Sequence, residues 1–77
     1  MVKRYLFEYY VILPDGTWSL YKNVRLDPWA KRVTLKELKR DGFVYDRHQK
    51  AYFRGLSIPY DDTYHNTMAL VVTSYTI

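Results

Sequence analysis

Polar and apolar residues alternate from Lys3 to Leu13. Tyr5, Phe7, Tyr9, Val11 and Leu13 fall on one face, and Arg4, Leu6, Glu8, Tyr10 and Ile12 on the other. A period of two is the period of a strand. Residues 17–26 alternate again, with Trp18, Leu20, Val24 and Leu26 on one face. Pro14-Asp15-Gly16 lies between the two runs, and the three parts together predict a hairpin. Parity sets the expected register. Opposing Leu13 to Trp18 also places Val11 by Leu20, Phe7 by Val24 and Tyr5 by Leu26, and sets Tyr10 opposite Tyr21. A three-residue loop would oppose the same face to Thr17, Ser19, Asn23 and Arg25. A slip of one residue exchanges inside for outside. A two- or four-residue loop is therefore expected, with Gly16 at positive φ.

Asp27-Pro28 ends the second strand, because proline cannot donate to a ladder and suits the first turn of a helix. Thr34 and Glu37 then stand at capping-box spacing, Val33 and Leu38 at hydrophobic-staple spacing, and Gly42 supplies a stop. The spacing predicts a short helix over about 35–41, with residues 28–33 either a separate turn before it or part of it. Phe43–Tyr45 and Ala51–Arg54 read as a second hairpin around residues 46–50, and residues 55–66 as a loop. Thr67–Ile77 reads as a last strand. Met68 to Val72 are apolar on both faces, which places that strand centrally in the sheet.

The expected fold is a single α+β domain over residues 1–77, in the order ββαβββ, a mostly antiparallel sheet with one short helix on one face. One short helix covers one side of such a sheet. The other side would expose Leu6, Tyr10, Ile12 and Tyr21, a patch that fits a partner or a second copy unless the sheet coils or the 55–66 segment folds over it.

Composition sharpens this picture. Nine of the 77 residues are tyrosine and none is cysteine. Tyrosine joins a large apolar ring to a polar hydroxyl and is enriched at contact surfaces. Lack of cysteine excludes disulfides, thiolate zinc sites and thiol nucleophiles, and fits a reducing cytoplasm. Lys3 and Arg4 before Tyr5–Leu13 imitate a signal peptide, but Glu8 interrupts the run, its residues alternate and no small-residue cleavage site follows. No run approaches the ~18 apolar residues of a membrane span. The net charge of +4 sits in the middle of the chain, where residues 22–54 hold ten Lys/Arg against four Asp/Glu. Such a field steers anionic partners.

Catalytic chemistry finds little support. Asp61, Asp62 and His65 form a D-D-x-x-H cluster, but a metal site needs three or four convergent ligands, and aspartates in a polar loop commonly cap their own backbone. His48 reads as a solvated turn residue. Neither histidine stands in a nucleophile motif, and three dispersed glycines make no phosphate loop. No enzyme, metal or cofactor is expected. Arg40-Asp41-Gly42-Phe43-Val44-Tyr45 departs from the aromatic strand motif of RNA-recognition domains at Asp41 and at the second aromatic position, and the element order differs, which excludes that family.

The leading expectation is a non-enzymatic, cytoplasmic binding protein that occupies a surface on a larger protein or nucleoprotein complex. Its size and class match small phage or mobile-element inhibitors, including anti-CRISPR proteins, an analogy resting on no shared motif. Tyr10 and Tyr21 are the expected aromatic anchors, and Lys36, Lys39, Arg40, Arg47 and Lys50 the charge contacts. The alternative is a small single-stranded nucleic-acid-binding domain. There Lys31, Arg32, Lys36, Lys39, Arg40, Arg47, Lys50 and Arg54 would track phosphates, with Tyr45, Tyr52 and Phe53 supplying rings for bases. The helical cations also fit the ordinary solvated face of an amphipathic helix whose inner side is Leu35 and Leu38. A third reading is a homodimer closed through the open sheet face.

Overall fold

The computed structural model describes residues 1–57 and 64–77, and the side chains of 1–55 and 67–77. The elements are β1 (Lys3–Ile12), β2 (Trp18–Leu26), α1 (Pro28–Arg40), β3 (Val44–Asp46), β4 (Ala51–Ser57) and β5 (Tyr64–Thr76). They form one five-stranded sheet in the order β2-β1-β5-β4-β3, with every pairing antiparallel. The ββαβββ reading and the central place of the last strand both hold. Of the expected 55–66 loop, residues 55–57 belong to β4 and 64–66 to β5, and the rest lies outside the described residues.

The first hairpin corrects the expected register. Leu13 N–H donates to Thr17 O at 2.9 Å, and Gly16 N–H to Leu13 O at 2.8 Å, so the loop is Pro14-Asp15-Gly16. Asp15 Oδ1 accepts from Thr17 N–H at 2.9 Å, which holds that carboxylate below its ordinary pKa. Gly16 has φ of 87°, as anticipated. This is a three-residue turn closed by a left-handed glycine, not the two- or four-residue loop that parity favoured. Ile12 accordingly pairs with Trp18, Val11 with Ser19 and Tyr10 with Leu20, so Tyr10 does not oppose Tyr21. A β-bulge then restores the parity. Tyr9 pairs with Lys22, Phe7 with Val24 and Tyr5 with Leu26, and Tyr21 is the surplus residue. The turn chemistry and the core pattern demand opposite parities, and one extra residue satisfies both.

The helix is also longer than expected. Asp27 Oδ1 accepts from Ala30 N–H at 2.7 Å and Pro28 opens the first turn. Aspartate followed by proline is a strong start, worth about 1 kcal/mol at the cap. Residues 28–33 are therefore helical, and Thr34 lies inside the helix, where the capping box and staple assigned to it do not form. The stop is as expected. Phe43 N–H donates to Leu38 O at 3.0 Å and Gly42 N–H to Lys39 O at 3.2 Å, with Gly42 at φ of 100°. That pair of hydrogen bonds across a left-handed glycine is the Schellman motif, and Leu38 and Phe43 both belong to the apolar cluster beneath the helix.

Among the described residues two apolar clusters result, one on each face. Beneath α1, Phe7, Tyr9, Phe43 and Leu70 are buried, with Tyr5, Leu26, Leu35, Leu38, Tyr52, Met68 and Val72 packed around them. On the far face Ala51, Phe53 and Ala69 are buried against Tyr10, Ile12 and Val71. The bulge carries Trp18 to this second face, where its ring centroid lies 5.6 Å from both Tyr10 and Phe53. Contact between a residue of edge strand β2 and one of β4, with β1 and β5 lying between them, shows strong coiling of the sheet. The face expected to stand open is thus partly closed by its own side chains.

Burial has a consequence at high pH. The phenols of Tyr9, Tyr10 and Tyr52 are raised above the ordinary value of 10.0, in each case mainly because burial disfavours the phenolate. The Glu8 carboxylate, whose Oε2 accepts from Tyr10 Oη at 3.2 Å, adds to the rise at Tyr10. Raised folded-state values mean that the unfolded chain releases these protons first. Their contribution is complete below about pH 10 and is lost as pH climbs through the folded values. A melting-temperature series should fall above about pH 10, less steeply in Tyr9→Phe. A flat curve to pH about 11 in wild type would show that these phenols ionise as freely in the fold as outside it.

Candidate binding surface on helix α1

The helix lies across β1 and β2. Its inner side is set by Leu35 and Leu38 on the Phe7–Tyr9 cluster. Lys31 lies along the same boundary, its Nζ 4.7 Å from the Tyr5 ring centroid, with Lys3 Nζ at 5.5 Å from the same ring. Such contacts hold a cation while its stem covers apolar surface.

The outer side carries Trp29, Arg32, Val33, Lys36, Glu37, Lys39 and Arg40, all exposed. Pro28–Arg40 contains five of the chain's twelve Lys/Arg and one of its eight Asp/Glu, so the rest of the chain is neutral and the whole net charge of +4 lies on this helix. Lys39 and Arg40 occupy the last turn, where the helix dipole favours cations. Trp29 is 68% exposed. Trp29, Arg32, Val33 and Lys36 line a shallow open depression.

Of the residues expected to bind a partner, Lys36, Lys39 and Arg40 are brought together on this surface. Arg47 and Lys50 are exposed in the β3–β4 turn, beyond the end of β3 distal to α1. Lys50 has φ of 53°, and Asp46 Oδ1 accepts from His48 N–H at 2.8 Å, so His48 is a turn residue as read from the sequence. Tyr52 is half-buried on the α1 side and pairs with Tyr45 at 4.9 Å between centroids. Tyr10 and Tyr21 are not cross-strand partners, since Tyr10 pairs with Leu20. Tyr10 is half-buried on the far face. Tyr21 stands by Lys22, whose Nζ is 5.8 Å from its ring and 4.9 Å from that of Tyr9, a member of the α1-side core. The bulge thus removes the direct cross-strand pairing of Tyr10 with Tyr21 that the alternation predicts.

Trp29 was not among the expected site residues. Its signal is the spacing of Trp29, Arg32, Val33 and Lys36, one stripe of a helix. The stripe becomes readable only when the helix starts at Pro28. Asp61 and Asp62 lie outside the described residues, and His65 enters only through its backbone in β5. Among the described residues no three His, Cys, Asp or Glu gather as metal ligands, and no helix is long and apolar enough to cross a membrane.

Fold and surface define a small α+β domain that presents a basic, tryptophan-bearing helix over an antiparallel sheet. No family model matches the chain, and neither a curated protein nor a solved structure matches it.

Proposed function

We propose that this chain is a non-enzymatic, cytoplasmic binding protein that docks through α1 on an anionic surface of a larger protein or nucleoprotein assembly, and acts by occupying that surface. The concentration of the entire net charge on one exposed helix supports the reading. Charge placed on one face steers encounter and fixes orientation rather than stabilising the fold. The test is capture of the assembly from source cells. Lys36→Ala/Lys39→Ala/Arg40→Ala is expected to slow association about tenfold or more and to abolish capture at moderate salt. Tyr10→Ala, on the other face, should capture normally. Unchanged capture by the triple variant, or capture indifferent to salt, would remove α1 as the docking element.

A further inference from the structure

The outer stripe of α1 has a more specific chemistry than net charge. Arg32, Lys36 and Arg40 recur every four residues, about 6 Å apart along the axis. That interval is close to the separation of consecutive phosphates in an extended single strand. At 100° per residue, Trp29 falls within about 20° of Lys36 and of Arg40, while Glu37, the one acid, falls on the opposite flank beside Val33. The indole is thus an exposed apolar plane at one end of a row of cations. Pro28–Arg40 contains no Asn, Gln or Ser, and Thr34 is half-buried, so in a duplex groove only Arg and Lys could reach base edges, and the exposed indole would have no unpaired base to stack on. A ring beside cations suits an unpaired base and its phosphates. An acidic protein groove would complement the charge but would not account for the periodic row.

We infer that the outer stripe of α1 binds single-stranded nucleic acid, with a base stacked on Trp29 and successive phosphates met by Arg32, Lys36 and Arg40. This rests on α1 being the docking element and names the strand as its partner. The probes are fluorescent oligo(dT) and oligo(U), with a duplex of equal length. Trp29 emission is read in a Trp18→Phe background, and probe anisotropy with wild type and Trp29→Ala needs no change at Trp18. Binding to either strand should quench Trp29. Trp29→Ala, at an exposed position, should weaken binding about tenfold. Lys36→Gln should reduce the salt slope by about 0.7. Three outcomes overturn the inference: no strand bound at low salt, binding that leaves Trp29 emission and Trp29→Ala affinity unchanged, or duplex bound as tightly as strand. If strands fail while capture of the assembly still depends on Lys36, Lys39 and Arg40, only this inference falls and the partner surface is acidic protein. If capture is also independent of those residues, the docking role of α1 falls with it.

Discussion

Phe7→Ala is expected to lower the melting temperature by about 15–30 °C and leave little folded protein at physiological temperature. Phe7 is fully buried, near the middle of β1, and β1 is paired on both sides, to β2 and β5. Removing its ring opens a cavity beneath α1 that Tyr9, Phe43 and Leu70 line and that the paired backbone cannot close. Large-to-small changes of this kind cost about 3–5 kcal/mol. A 77-residue chain at typical stability per residue has only about 4–12 kcal/mol in total. Phe7→Leu keeps most of the apolar volume and should stay folded. Thermal unfolding by circular dichroism reads the difference, and an alanine variant melting within a few degrees of wild type would place the core elsewhere.

Trp18→Ala is expected to cost about 3 kcal/mol, although the residue is partly exposed, on an edge strand and next to a turn. Its ring meets Tyr10 at 5.6 Å and Phe53 at 5.6 Å, the latter edge-on at 77°. Each aromatic pair contributes about 0.5–1.5 kcal/mol beyond area burial. Leu20, two residues along the same face but 52% exposed, should cost under about 1 kcal/mol on truncation. The sharper measurement is a double-mutant cycle between Trp18 and Phe53, expected to give a coupling of about 1 kcal/mol in chemical denaturation. Without the bulge, Trp18 would face α1 and lie on the other side of the sheet from Phe53. A coupling indistinguishable from zero would therefore refute the bulged register.

Much of the candidate surface was legible before the fold was known. Lys36, Lys39 and Arg40 follow from the basic run and from Leu35 and Leu38 as the inner side. Trp29 was missed because two start signals compete. Thr34 and Glu37 have the right spacing for a cap, and Asp27 with Pro28 has the right residues. The earlier start prevails in the structure. It adds helical hydrogen bonds from Lys31 N–H to Asp27 O onward, and it lays Lys31 against Tyr5. The Tyr10–Tyr21 pairing failed for a different reason, since it required an unbroken alternation along β2.

The amino-acid order alone determined what short-range chemistry can encode: the succession ββαβββ, the place of the first turn around Asp15 but not its length, the Gly42 stop and the central place of β5. Each depends on residues within a few positions of one another, through backbone dihedrals, caps and side-chain period. Tertiary structure decided which face each half of β2 presents, and with it the packing of Trp18 on Tyr10 and Phe53. Alternation defines two faces but carries no mark of where a surplus residue leaves the ladder. That position is set by β1 and α1, whose core takes Leu26 on the inner side whatever the turn requires.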